Sequence, residues 1–216
     1  LGMMGANGIV GGGPPLVTGA ALAAKRAGQG NVAVAFVGDG GSNQGTTFVS
    51  LNLAKVWNLP AIFVVEDNGY AEATSSKWSI GAESNAERAR GFGLHSVRVD
   101  GHDFFAVYEA AAEAVRRARD GGGPSLLDCH LNRYYGHFEG DAQTYRGSDE
   151  VKKLRADQDC IVRFSNLVTK SGDVAESDLA AIDHEVLELI EGAVAGAKSA
   201  PKPEAEDLLT DVYVSY

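Results

Sequence analysis

Short apolar runs rich in β-branched residues alternate along this chain with segments of helical periodicity. The runs at 32–37 and 61–65 flank a stretch, residues 48–57, whose apolar residues recur at helical spacing. The alternation continues with predicted helices at 85–91 and 104–119 and predicted strands at 96–99 and 125–131. Because short apolar strands separated by helices pair in parallel, we predict an α/β fold, a mostly parallel sheet with helices on both faces. Ligands of such sheets bind beyond the carboxyl ends of the strands.

The last third of the chain has a different character. Residues 132–148 are polar and aromatic without a period, which is typical of a long functional loop. C-terminal helices are predicted at 149–168 and 177–198, with Ser177 as the N-cap of the second. We expect one domain over residues 1–200 and a terminal arm over residues 201–216.

Composition excludes several classes of protein. The 216 residues are 44% hydrophobic and 22% charged, which predicts a folded chain with its own core. With 29 acidic and 19 basic residues the formal net charge is −10, which repels nucleic acid and anionic membrane surfaces. The apolar runs fall far short of the roughly 20 residues of a spanning helix, and we expect no signal peptide. Because only Cys129 and Cys160 are present, we expect no disulfide framework and a cytoplasmic location.

Polar residues follow the first two predicted strands. The strand at 32–37 runs into the glycine-rich turn GDGGSNQG, residues 38–45, whose backbone amides can face a phosphate. Asn68 follows the second strand, 29 positions after Asp39. A carboxylate, an amide oxygen and a nearby carbonyl make a hard oxygen site, suited to magnesium or calcium. A diphosphate beside Asp39 requires such a cation to neutralise both groups.

Simpler interpretations remain open for each motif alone. A Gly-Asp-Gly sequence also forms ordinary turns between a strand and a helix, and Asn-Gly is most often a turn. The dinucleotide-binding fingerprint is another candidate, although Asn43 stands where its third glycine belongs. The occurrence of both motifs at the ends of consecutive strands favours the metal–diphosphate interpretation.

Four segments in order carry a resemblance to a known family. They are GIVG at 8–11, GDGGSNQG at 38–45, NLPAIFVVEDNGYA at 58–71 and RYYGHFEGDAQTYR at 133–146. The spacing of Asp39 and Asn68 resembles the thiamine-diphosphate signature. The wider text is similar to the α subunit of the two-subunit first component of 2-oxo acid dehydrogenase complexes. Within that family the opening glycine segment and the loop at 133–146 look most like the acetoin dehydrogenases, and pyruvate dehydrogenase α subunits are also similar.

The resemblance implies roles for individual residues. It assigns Asp39, Asn68 and the backbone carbonyl of Tyr70 to Mg²⁺, and the amides of Gly40 and Gly41 to the diphosphate of thiamine diphosphate.

Further implied roles concern the pyrimidine end of the cofactor and the substrate. Gly8 and Val10 match backbone contacts to the aminopyrimidine, and His137 matches a loop histidine that reaches the diphosphate and acts in catalysis. Tyr135 replaces the first histidine of the His-Gly-His sequence of pyruvate-specific relatives, so pyruvate is not the expected substrate. Phe138 replaces the serine that is phosphorylated in the animal members of the family, which excludes regulation by phosphorylation at this position.

At the level of function, the resemblance implies a thiamine-diphosphate-dependent oxidoreductase. It would cleave acetoin, or decarboxylate pyruvate or a branched-chain 2-oxo acid, and pass the acyl unit to a lipoyl group of the acyltransferase. The partner is a β subunit, in a heterotetramer of two α and two β subunits. The family has a further segment ahead of Leu1, so the chain is expected to be a fragment. The alternatives are a truncated non-catalytic relative and a nucleotide-binding protein.

Overall fold

The computed structural model describes residues 2–210, and the chain forms two compact units, Leu1–Phe164 and Ser165–Tyr216. The extent of the cofactor-binding domain, 1–200, stays a prediction. Of the expected arm at 201–216, residues 211–216 lie outside the described part of the chain.

Four parallel strands form the main sheet of the first unit. The strands within residues 2–210 are β1 (Ala33–Gly38), β2 (Ala61–Asp67), β3 (Tyr70–Ala71), β4 (Thr74–Ser75), β5 (His95–Asp100) and β6 (Ser125–His130). The sheet order is β1-β2-β6-β5, and all three pairings are parallel. β3 and β4 make a small antiparallel hairpin directly after β2. The predicted parallel α/β architecture is therefore confirmed, with each of the four strands of the main sheet within two residues of its predicted bounds. The β3–β4 hairpin was not predicted.

Eight α-helices accompany the strands in the described residues. They are α1 (Gly13–Ala27), α2 (Gly45–Val56), α3 (Ser76–Ser79), α4 (Asn85–Gly91), α5 (Phe104–Arg119), α6 (Glu150–Gln158), α7 (Cys160–Ser171) and α8 (Glu176–Ser199). Helices α4 and α5 have the predicted bounds. The side chain of Asp103 accepts hydrogen bonds from the amides of Phe105 and Ala106, and this N-cap sets where α5 begins.

Two helix predictions at the C-terminal side were wrong. The single helix predicted at 149–168 is two helices, because Asp159 leaves the helical conformation and accepts hydrogen bonds from the amides of Ile161 and Val162. The predicted N-cap Ser177 lies inside the first turn of α8. That helix begins at Glu176 after Ala175, and no side chain caps it.

The helices cover both faces of the sheet. Alternate residues of β2 divide between two apolar clusters, because successive side chains of a strand point to opposite faces. Phe63 and Val65 pack with residues of α1, α2 and α4 on one face. Ile62 and Val64 pack with α5 on the other face. Both faces of β2 are therefore covered over residues 61–65, which explains why the sequence is continuously apolar there.

The second unit contains the end of α7, α8 and a short 3₁₀ turn, Ala205–Leu209. Apolar side chains of α8 are exposed, among them Ile182, Val186 and Ile190. Among residues 2–210, no helix is both long enough and apolar enough to cross a bilayer.

We expect Phe63→Ala to lower the free energy of unfolding of the chain by about 3–5 kcal/mol, because it removes a large side chain that is 1% exposed. Urea denaturation of the isolated chain measures this loss. Phe36 on the neighbouring strand β1 is 66% exposed, so Phe36→Ala is the matched control, with a change below about 1 kcal/mol. Equal losses for the two variants would contradict the described core.

Candidate functional site

The sheet register places Asp39 beside the end of β2. Gly38, the last residue of β1, pairs with Glu66, so the carboxyl ends of β1 and β2 lie side by side. Asp39 and Asp67 are therefore neighbours, and both are buried. This position beyond the carboxyl ends of the strands is where parallel sheets bind ligands.

Asp39 is a buried carboxylate with an unused oxygen. Its side chain is 2% exposed, and Oδ2 has no hydrogen-bond partner among the described residues. Burial and the charge of Asp67 raise the pKa of Asp39 from 3.8 to about 6, although hydrogen bonds from the backbone amides of Gly40 and Asp39 oppose this. An ionised carboxylate at this buried position destabilises the fold unless a cation binds to it.

Asn68 lies in the turn that links β2 to β3, and Tyr70 is the first residue of β3. The side-chain oxygen of Asn68 accepts a hydrogen bond from the amide of Tyr70 at 3.2 Å, and Asp67 accepts one from Gly69 at 3.1 Å. These local bonds hold the turn but leave a lone pair on each acceptor. The carbonyl of Tyr70, the third expected metal ligand, lies 3.4 Å from an Nη1 donor of Arg133.

Gly40 and Gly41 are required by the close packing of the turn. Gly40 has ordinary helical dihedral angles, φ −64° and ψ −47°, so its conformation does not demand glycine. A Cβ atom on Gly40 would lie 2.5 Å from that of Ala71, and one on Gly41 would lie 2.7 Å from Cγ2 of Val37. The turn is thus pressed against both the β3–β4 hairpin and strand β1.

The segment before α1 lies against the same glycine turn. A Cβ atom on Gly41 would be 3.5 Å from Cγ1 of Val10, and the carbonyl of Gly11 accepts a hydrogen bond from the hydroxyl of Thr46. Val10 therefore lies beside the expected diphosphate position. Gly8 is exposed, and a Cβ atom there would meet nothing within 4 Å, so this glycine is not closely packed against the site.

Arg133 links the long loop to the hairpin. Its guanidinium donates to the carbonyls of Tyr70 and Glu72 and to the hydroxyl of Tyr145. It also lies 3.4 Å from Nδ1 of His137. Because a guanidinium only donates, this contact favours the His137 tautomer with its proton on Nε2. Arg133 thereby contacts both the exposed His137 and the carbonyl of Tyr70.

Asp141 organises the rest of the loop around His137. Its carboxylate accepts hydrogen bonds from the hydroxyl of Tyr145 and the amides of His137 and Gln143, which hold the pKa of Asp141 down to about 2.

The guanidinium of Arg146 lies 5.0 Å above the ring of Tyr70. The loop has no regular secondary structure, yet its polar side chains give it a defined shape.

The structure brings most of the expected site residues into one region. Asp39, Gly40, Gly41 and Val10 meet at the end of β1, and Tyr70 and His137 are joined through Arg133.

Sequence reasoning missed three members of this region, Asp67, Arg133 and Asp141. A usable signal for the last two was present, since they flank His137 within the loop segment at 133–146. The roles of Asp67 and Arg133 depend on contacts between distant segments, which spacing along the chain does not contain, whereas Asp141 contacts residues of its own loop.

The chemistry of the region fits a divalent cation. Three oxygens of different kinds, from the Asp39 carboxylate, the Asn68 amide and the Tyr70 carbonyl, are of the type that magnesium prefers. The buried Oδ2 of Asp39 without a partner is the observation that supports the fit. Within residues 2–210 no cluster of three His, Cys, Asp or Glu side chains has metal-binding geometry, and the expected set would not form one because only Asp39 is of those types.

These features define a class: parallel α/β proteins that bind their ligand beyond the strand ends. The family model described as "Dehydrogenase E1 component" matches residues 1–206. The chain belongs to this dehydrogenase E1 component family.

Three relatives show the range of similarity. The α subunit of acetoin:2,6-dichlorophenolindophenol oxidoreductase from Cupriavidus necator is 62% identical over 215 residues, 100% of this chain and 65% of the relative. The Bacillus subtilis protein of the same name is 52% identical and is covered to 64%, again by 100% of this chain. The pyruvate dehydrogenase E1 α subunit of Rhizobium meliloti is 39% identical, over 96% of this chain and 60% of the relative. The chain thus spans just under two thirds of each relative.

The raised pKa of Asp39 predicts a pH-dependent stability. A carboxyl whose folded pKa, about 6, lies above its unfolded value of 3.8 stabilises the fold fully below pH 3.8 and loses that contribution as pH rises through 6. The difference corresponds to about 3 kcal/mol. We therefore expect Asp39→Asn to stabilise the metal-free chain at pH 7.5 by up to this amount, with the gain vanishing near pH 4.

Urea denaturation of both chains from pH 4 to pH 8, without metal or cofactor, measures this gain. The exposed Asp157 supplies the control variant Asp157→Asn, which should show no such trend. If the free energies of unfolding of Asp39→Asn and the parental chain differ by the same amount over the whole pH range, the raised pKa of Asp39 is contradicted.

Proposed function

We propose that this chain is the α part of a thiamine-diphosphate-dependent dehydrogenase that acts on acetoin. The observation that carries the proposal is the buried Asp39 carboxylate with an unpartnered oxygen, placed at the strand ends beside a closely packed glycine turn. The membership of the dehydrogenase E1 component family, and the 62% identity to an α subunit named for acetoin, agree with it.

The proposed roles of the residues are those that the resemblance implies. Asp39, Asn68 and the carbonyl of Tyr70 would hold Mg²⁺, which neutralises Asp39 and the diphosphate together. The amides of Gly40 and Gly41 would face the diphosphate, and the backbone of Gly8 and Val10 would meet the aminopyrimidine. Thiamine diphosphate, when bound, supplies a carbanion able to attack a carbonyl carbon.

His137 is the proposed catalytic residue of this chain. The contact with Arg133 keeps Nδ1 as an acceptor, so the neutral ring presents its proton at Nε2. The backbone amide of His137 donates to the carboxylate of Asp141 at 2.8 Å, which holds the backbone of this residue in place. A positioned imidazole of this kind can donate a proton to an oxygen that gains charge during the reaction.

The proposed substrate is acetoin rather than pyruvate. Tyr135 is 74% exposed on the loop beside His137, where the resemblance places a histidine in pyruvate-specific relatives. A phenol at this position cannot offer the charge that an imidazolium offers to a carboxylate, whereas acetoin carries no carboxylate. Decarboxylation of pyruvate or a branched-chain 2-oxo acid is the alternative outcome of the substrate test.

The proposed partners are a β subunit, in a heterotetramer of two α and two β subunits, and a lipoyl-bearing acyltransferase that accepts the acyl unit. Exposed apolar side chains on α1, β1 and α8, including Leu16, Phe36 and Leu189, are consistent with a protein that assembles with another chain. We place the assembly in the cytoplasm. Both cysteines are free thiols, Cys129 buried and Cys160 exposed.

The decisive experiment reconstitutes the chain with its β subunit, Mg²⁺ and thiamine diphosphate, and assays acetoin, pyruvate and a branched-chain 2-oxo acid. We expect turnover of acetoin in preference to the other two. Cofactor binding without turnover of any substrate would indicate a non-catalytic relative. Protection of the fold by ATP or NAD, but not by thiamine diphosphate, would indicate a nucleotide-binding protein.

We expect Asp39→Ala to abolish Mg²⁺-dependent binding of thiamine diphosphate, because the cation loses the one charged ligand of its proposed set. Titration calorimetry of the assembly with β subunit, with and without Mg²⁺, measures the binding. Asp157→Ala on α6 removes an exposed carboxylate and serves as the control. Near-parental affinity of the Asp39 variant would remove this residue from the metal site.

We expect His137→Ala to slow turnover by on the order of 10²-fold or more while the variant still assembles and binds cofactor. Steady-state kinetics of the reconstituted assembly measures the rate, and light scattering measures assembly. His184→Ala is a matched control, since His184 is exposed on α8 and contacts only Glu188 of the same helix among described ion pairs. An unchanged rate would leave His137 with a structural role alone.

A further inference from the structure

A buried polar cluster lies directly behind the glycine turn. Its members are Ser42, in the turn itself, Asn85 and Arg88 on α4, and Asp128 on β6. We call these four residues the turn anchor. Ser42 and Asn85 are each 3% exposed and Asp128 is fully buried. None of the four belongs to the proposed cofactor ligands, although buried polar groups of this kind are costly unless they hydrogen-bond to one another.

Ser42 connects the anchor to the backbone of the proposed metal ligand. Its hydroxyl lies 2.6 Å from the carbonyl oxygen of Asp39 and 2.9 Å from the side-chain oxygen of Asn85. A hydroxyl has one proton, so it donates to one of these acceptors at a time. The shorter contact, to Asp39, closes the turn from Asp39 to Ser42.

Arg88 of α4 also hydrogen-bonds to the turn. Its Nη2 donates to the carbonyl of Ser42 at 3.0 Å, and its Nη1 donates to the side-chain oxygen of Asn85 at 3.1 Å. The guanidinium also lies 4.7 Å from the centre of the ring of Phe48, the fourth residue of α2. One side chain thus bridges α4, the glycine turn and the helix that follows the turn.

Asp128 orients the remainder of the anchor. Its carboxylate accepts hydrogen bonds from the amide of Ala86 at 3.2 Å and from the side-chain nitrogen of Asn85 at 3.4 Å. Because Arg88 donates to the oxygen of Asn85 and Asp128 accepts from its nitrogen, only one orientation of the amide satisfies both neighbours. The central strand β6 thereby holds α4 at a defined distance from the turn.

We propose that Arg88 and Ser42 are positioning residues for the cofactor: they hold the turn at residues 39–43 in its binding shape before the diphosphate arrives. The inference rests on the proposed function, because it assumes that this turn meets a diphosphate. Two of the five residues of the turn are glycines, whose free backbone would sample many conformations without an external hold. A turn ordered in advance does not have to be ordered at the moment of binding, and this raises affinity.

The test uses Arg88→Ala, Arg88→Lys and Ser42→Ala in the chain assembled with its β subunit. The variant Arg88→Lys keeps the positive charge but loses the bridge, since a single ammonium cannot reproduce the planar fork that reaches both Ser42 and Asn85. The control is Arg90→Ala, which removes the same charge from an exposed position of the same helix.

Two readouts separate positioning from other roles. Calorimetry gives the dissociation constant of thiamine diphosphate with Mg²⁺, and hydrogen exchange of the cofactor-free protein follows the amides of residues 39–43. We expect all three variants to weaken cofactor binding by about tenfold, the equivalent of one hydrogen bond. Exchange of the turn amides should accelerate by a similar factor, while kcat at saturating cofactor changes less than about twofold. Arg90→Ala should change none of these quantities.

Several results would overturn the proposal. Unchanged exchange in Arg88→Ala would show that the turn does not depend on its anchor, whatever the cofactor does. If Arg88→Lys binds cofactor and exchanges its turn amides like the parental protein, while Arg88→Ala binds cofactor weakly, the positive charge of residue 88 matters and its bridging hydrogen bonds do not. Faster exchange throughout the chain in both Arg88→Ala and Ser42→Ala would indicate a general structural role. If the parental protein binds no thiamine diphosphate, the proposed function fails, and hydrogen exchange still decides whether the anchor holds the turn.

Discussion

The buried carboxylate of Asp39 is the constraint around which the candidate site is arranged. It is 2% exposed, lies beside the buried Asp67, and leaves Oδ2 without a hydrogen-bond partner among the described residues. A fold retains a group of this kind at a cost to its own stability, and the raised pKa of about 6 expresses that cost. A divalent cation would remove the cost, so binding and stability are coupled at this one side chain.

The surroundings of Asp39 place cationic and neutral donors where the site needs them, although the chain as a whole carries a formal charge of −10. Arg133 donates hydrogen bonds to the carbonyls of Tyr70 and Glu72 and to the hydroxyl of Tyr145. Burial and Asp67 raise the pKa of Asp39, and the charge of Arg133 opposes part of that rise. Bonds of this kind let a loop without regular secondary structure present His137 in a defined place.

The glycine turn illustrates how one sequence motif serves several physical requirements. Gly40 and Gly41 are needed because a Cβ atom would collide with Ala71 and Val37, and not because of unusual backbone angles. Ser42 lies between these glycines and α2, and its hydroxyl donates a hydrogen bond to the carbonyl of Asp39. The same few residues thus provide close packing, a proposed anion-binding surface and a fixed link to the buried anchor of α4 and β6.

The amino-acid sequence by itself determined the parallel α/β architecture, since apolar periodicity and chain order suffice to predict which segments are strands and which are helices. It also placed Asp39 and Asn68 at the ends of consecutive strands, because strand ends are visible in the local pattern. It failed where a capping side chain decided the outcome, as at Asp159, which divides a predicted helix in two. Only the tertiary structure decided that Arg133 meets Tyr70 and that Arg88 meets Ser42, pairs separated by 63 and 46 positions. Such contacts depend on burial and on the packing of distant segments, and neither composition nor spacing along the chain specifies them.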